Sequence, residues 1–196
     1  MNKIDRLGRV RFIVVPSSMH RLDAAVYKRR YPGATVMCPR KILEAVGQKV
    51  RVDAVVEDLT EMLAMRGVSF VYPEGVENGE LAYKLAIDSS SFAESSQGNE
   101  GIALVFCDLL FNLDNSAGFM GWIFKLLGST GFFGMTLIGK LFVLKDKEKF
   151  KFFLSKFISD QYQEGGKKVQ AICVCHGKSI TKNCGEALQS AIDRLG

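Results

Sequence analysis

The apolar run from Ile102 to Cys107, preceded by Gly101 and stopped by Asp108, constrains this chain more than any other stretch. A run without polar alternation reads as a strand covered on both faces, as in layered α/β folds. Leu109, Leu110 and Phe111 resume the apolar character, so Asp108 is a lone carboxylate where the strand gives way to a loop. A buried carboxylate is costly unless it is paired or bound to a metal, and strand ends in α/β layers are where sites form. Asp108 is therefore the candidate catalytic carboxylate.

The same logic recurs twice. The apolar stretch Val169 to Cys175 ends in His176 and Gly177. The chain holds two histidines, and the other, His20, follows a third apolar stretch, Arg11 to Pro16. Three strand ends thus carry a potential metal ligand: His20, Asp108 and His176. Two imidazoles and one carboxylate suffice for one divalent cation with open positions, and Asp23 can add a fourth oxygen. The bland alternative is that each residue caps a strand end: His20 bonding a backbone carbonyl, Asp108 the following turn.

Around these ends the pattern is strand and helix in alternation. Val10–Val15 reads as a strand, with Ser17 or Ser18 capping a helix from Met19 to about Arg30, so that His20 lies in its first turn. Tyr31–Pro32–Gly33 stops that helix. Ala34–Met37 reads as a strand, and Pro39 opens a helix to Gly47. This spacing predicts a parallel sheet. Val68–Val71 and Leu81–Ile87 read as strands around a turn-rich segment. Asp146 to Gln161 places Phe150, Phe153, Leu154, Phe157 and Ile158 at helical spacing, and Cys184–Leu195 is the closing helix. Val10–Val15, Ala34–Met37, Ile102–Cys107 and Val169–Cys175 are expected in one sheet, with the three ligands at one edge. At 196 residues the chain is about one domain long, and it is read as a single domain, 1–196.

Composition excludes several classes. Hydrophobic residues make up 47% and charged residues 24%, as in soluble globular proteins. The net charge of +5 is spread over small clusters, which reads as a solvated surface, not a nucleic-acid interface. Five cysteines, an odd number placed largely in or beside apolar runs, suggest reduced packing thiols and a cytoplasmic location. Cys173, Cys175 and His176 lack the spacing of haem attachment. No signal peptide, phosphate loop or serine-hydrolase elbow is evident. Leu126–Gly139 is apolar but shorter than the about 20 residues a membrane span requires. Phe119–Phe142, with Trp122, Phe124, Phe132 and Phe133, is expected to cover the cavity mouth, or, left exposed, to drive self-association.

Several of these stretches together resemble the metallo-β-lactamase fold family, closest to a branch known only as a domain of unknown function. They are Val14 to His20 with Tyr31–Ala34, Leu104–Asn112 with its Asp108, Lys145–Asp146, and His176–Ile180 leading into the last helix. The resemblance covers about Val10 to Leu195. It implies an α/β fold, an αββα sandwich of two sheets covered by helices; a parallel sheet with helices on both faces is the simpler alternative. The family's first metal motif, His-x-His-x-Asp-His, holds zinc for activating water. Here Ser18 to Asp23 keeps one histidine, places Leu22 at the aspartate and puts Asp23 in the last histidine slot. The region where a middle histidine is expected, Ser89–Ser96, has none. His20 also arrives almost at once, so the resemblance implies a sheet without its first strands or an incomplete gene product.

Two functions follow as expectations. One is a mononuclear hydrolase in which His20, Asp108 and His176, with Asp23, hold one zinc, iron or manganese ion and an ester, thioester or phosphoester is cleaved. The other is a non-catalytic relative, a binding or structural module whose depleted site holds no metal. The partner in the first case is an unidentified small-molecule substrate, with no nucleic acid and no transmembrane segment.

Overall fold

The computed structural model describes residues 2–87, 101–115, 118, 130–160 and 167–196, and the chain divides into two compact units, Met1–Leu63 and Ala64–Gly196. The fold is mixed α/β, with one sheet in each unit.

In the N-terminal unit, strands β1 (Phe12–Val14), β2 (Thr35–Cys38) and β3 (Ala54–Val55) form a parallel sheet in the order β1-β2-β3. The parallel arrangement follows from the crossover segments between them. Besides a short opening helix α1 (Asn2–Asp5), these segments carry α2 (Ala24–Arg30) and α3 (Leu43–Gly47). Val15, Ala24, Val36, Cys38, Ile42, Val46 and Val50 are buried together as this unit's core. The helix expected from Met19 is broken: Ser18–His20 is a 3₁₀ turn, and α2 begins only at Ala24. Ser17 caps that turn, its hydroxyl accepting from the Met19 amide at 3.2 Å. Pro39 likewise opens a 3₁₀ turn, Arg40–Ile42, before α3.

Helix α4 (Thr60–Ala64) leads out of the first unit. The C-terminal unit holds a four-stranded sheet, in the order β4 (Val68–Val71), β5 (Ala82–Ile87), β6 (Gly101–Phe106) and β7 (Lys168–Val174). The β4–β5 and β5–β6 pairs are antiparallel, whereas β6–β7 is parallel. The apolar run is thus an inner strand, paired with β5 on one side and β7 on the other. The four strands expected in one sheet are divided: β1 and β2 lie in the first sheet, β6 and β7 in the second. Strands pair preferentially with neighbours along the chain, and each sheet here is built from consecutive strands.

Three further helices belong to this unit: α5 (Leu137–Phe142), α6 (Lys147–Ser159) and α7 (Cys184–Asp193). Asp146 caps α6, its carboxylate accepting from the Lys149 amide at 3.0 Å. The predicted apolar face of α6 is buried: Phe150, Phe153, Leu154 and Phe157 join Leu104, Phe106, Ile172, Leu188 and Ala191 in the core. Phe106 meets Phe157 edge to face, at 6.3 Å between centroids, a favoured aromatic geometry.

The aromatic segment is only partly within the described residues, and Phe119, Trp122 and Phe124 lie outside them. Phe133 joins the core, but Leu141 and Phe142 on α5 are 76% and 74% exposed, so this end does not act as a buried cover. Among the described residues no helix is long and apolar enough to cross a membrane.

Candidate metal centre

Because β6 and β7 are parallel and adjacent, their C-terminal ends emerge at the same sheet edge. The pairing of Phe106 with Val174, continued two residues, brings Asp108 beside His176. His176 Nε2 and Asp108 Oδ1 are 3.1 Å apart, both side chains partly exposed. Two donors about 2.0–2.1 Å from one zinc ion at a tetrahedral angle are about 3.3 Å apart. The pair therefore has the separation of two ligands sharing one ion, as well as that of a direct hydrogen bond.

Further contacts hold the pair. The Phe111 ring stacks on the His176 imidazole, with centroids 4.5 Å apart and planes within 5°. The two loops are clipped together: the Asn112 amide donates to the His176 carbonyl at 2.9 Å, and the Lys178 amide donates to the Asn112 carbonyl at 3.0 Å. The Asn112 side-chain amide also donates to the Lys178 carbonyl at 2.7 Å. Gly177, between these bonds, has φ +115°, a conformation L side chains rarely adopt.

Beneath the pair lies a residue that sequence reasoning missed. Glu80 is 1% exposed. Its carboxylate accepts from the Cys107 amide at 2.6 Å and from the Asp108 amide at 2.8 Å. The Asn78 side chain donates to it at 3.2 Å. Glu80 thus satisfies the backbone donors where β6 ends, and fixes the turn that presents Asp108. Donor atoms of Glu80, Cys107 and Asp108 lie within 4.8 Å of one another, a group able to hold a metal ion. The signal was the β5–β6 register: with Tyr83 opposite Val105, three further residues set Glu80 opposite Asp108.

Burial pushes the Glu80 carboxyl up to about 7, against the pull of its two backbone donors, and the Asp108 carboxylate adds to the rise. Its ordinary value is 4.5, so between these limits the folded chain retains a proton that the unfolded chain has lost. The contribution is whole below about pH 4.5 and lost as pH rises through about 7, which amounts to about 3 kcal/mol. In urea unfolding at about pH 4.5 and 7.5, the wild-type chain is expected to lose about that much relative to Glu80→Gln. A difference independent of pH contradicts the buried, protonated Glu80.

Within the C-terminal unit the structure brings together Asp108 and His176, two of the sequence-derived ligands. His20 and Asp23 belong to the N-terminal unit, His20 in the 3₁₀ turn and Asp23 at the N-cap of α2. Cys107 is buried, as its apolar run implies, but Cys175 is exposed. No protein-family model matches the chain, and no curated protein matches it.

Proposed function

We propose that this chain is a metallo-β-lactamase-like protein, an αββα sandwich, in which Asp108 and His176 hold a single zinc, iron or manganese ion for hydrolysis of an ester, thioester or phosphoester. The observation that carries the reading is the 3.1 Å approach of His176 Nε2 to Asp108 Oδ1 just beyond the ends of two adjacent parallel strands. An ion held there supplies Lewis acidity and lowers the pKa of water.

The chain's own residues set the rest. The stacked Phe111 ring fixes the plane of the imidazole, so Nε2 is presented to the site without a search over ring rotations. Asp108 directs Oδ1 toward His176, and its backbone is anchored by Glu80, so the carboxylate is held to orient water and accept its proton. His20 remains an expectation from the sequence, tested by His20→Ala.

The test is titration of the full chain, purified without chelator or histidine tag, with zinc, cobalt and manganese. The same protein is assayed on an aryl ester, a thioester and an aryl phosphodiester. One ion per chain is expected, with at least one hydrolysis abolished by chelator and restored by metal. A specific observation favours a second reading, the non-catalytic relative: Asp108 and His176 already satisfy each other as a hydrogen-bonded pair. That reading predicts sub-stoichiometric uptake that no excess of metal raises, and hydrolysis indifferent to chelator.

A further inference from the structure

Cys107 and Cys175 immediately precede Asp108 and His176, and they follow directly on the paired residues Phe106 and Val174. The ladder continues past the strands, with the Cys175 amide donating to the Phe106 carbonyl at 3.2 Å, so Cys107 and Cys175 are the next residues in register. Adjacent strands lie about 4.8 Å apart, within the Cα separation of about 4.4–6.8 Å that a disulfide spans. Cys107 is buried at 2% exposure, whereas Cys175 is exposed. One thiol can therefore meet a solvent oxidant while the other waits behind it, the arrangement of an attacking and a resolving cysteine.

We propose that Cys107 and Cys175 are a reversible redox couple, closed to a disulfide by peroxide, at the base of the Asp108–His176 site. The proposal stands on the thiols and the strand register and does not require a metal. The Cys175 sulfur, as thiolate, attacks the O–O bond of hydrogen peroxide and becomes a sulfenic acid. The displaced hydroxide takes up the proton the thiol released and leaves as water. The Cys107 sulfur then attacks the Cys175 sulfur; the S–S bond forms, the S–O bond breaks, and a second water carries away the Cys107 proton. Two thiols and one peroxide thus become one disulfide and two waters. Cys175 is the exposed member of the pair and Cys107 the buried one, so the first attack falls to Cys175. Closing the bond ties the residues beside Asp108 and His176 together, and so changes the surroundings of the imidazole.

The test uses the reduced full chain, exposed to hydrogen peroxide and then alkylated under denaturing conditions. Mass spectrometry is expected to show two of the five cysteines lost to alkylation, in one cross-linked peptide pair joining Cys107 to Cys175, restored by dithiothreitol. Cys175→Ser, at an exposed position, should abolish the cross-link and leave Cys107 fully alkylated. With two histidines in the chain, the His176 imidazole resonances can be assigned by difference and should shift on oxidation. Over-oxidation of Cys175 with Cys107 still reduced, a link from Cys175 to Cys173, or five alkylated thiols after peroxide would each overturn the proposal.

Discussion

Gly177→Ala is expected to destabilise the C-terminal unit by about 3–5 kcal/mol, from left-handed backbone strain together with overpacking. An ideal Cβ at Gly177 would lie 2.0 Å from the Asn112 carbonyl oxygen and 2.8 Å from the Leu113 amide nitrogen. Both are backbone atoms, so no side-chain rotation relieves the clash. The loop must part from Asn112, which breaks the hydrogen bonds from the Asn112 amide to the His176 carbonyl and from the Lys178 amide to the Asn112 carbonyl. Urea unfolding followed by far-ultraviolet circular dichroism reads the loss. Gly47→Ala is the control, because a Cβ there meets nothing within 4 Å, and alanine at that helical position should be neutral or slightly stabilising. Equal midpoints for Gly177→Ala and wild type would contradict the loop junction on which the site depends.

That junction marks how far the sequence could be read. The apolar runs announced β6 and β7, and their abrupt ends announced Asp108 and His176, because a polar side chain at the end of an apolar strand is a local signal. The spacing of Phe150, Phe153, Leu154 and Phe157 announced α6 in the same way, since a helix's buried face repeats within its own length. The grouping of strands was not local. A buried strand has the same apolar pattern whichever sheet it joins, so the division between β1–β3 and β4–β7 could not be seen. Strand β3 has two residues, too few for any period. Glu80 reads as one charge before a strand until the β5–β6 register is known, and residues outside the described structure separate those strands. Leu137, Ile138, Leu141 and Phe142 suggested burial by composition, yet all are exposed. Apolar content alone does not say which face is covered.

The second large effect belongs to the ligands themselves. Asp108→Asn keeps the size and hydrogen-bonding reach of the side chain but removes the charge that would face a cation. His176→Ala removes the imidazole altogether. Each is expected to weaken zinc or cobalt binding by more than about 100-fold, since substitutions of supporting groups alone cost about 10–100-fold. Phe111→Leu, which removes the stacked ring while leaving both donors, should fall within that smaller range. Circular dichroism must show all three variants folded. Wild-type affinity in Asp108→Asn and His176→Ala would place any bound ion elsewhere in the chain.

The central claim, that the ends of β6 and β7 present a metal centre, is tested most directly by crystals of the full chain grown with zinc and measured across the zinc absorption edge. The account predicts one strong anomalous peak between His176 and Asp108, with His176 Nε2 and an Asp108 carboxylate oxygen each about 2.0–2.2 Å from it. No peak at that position under saturating zinc, with His176 Nε2 and Asp108 Oδ1 hydrogen-bonded at 3.1 Å, would contradict it.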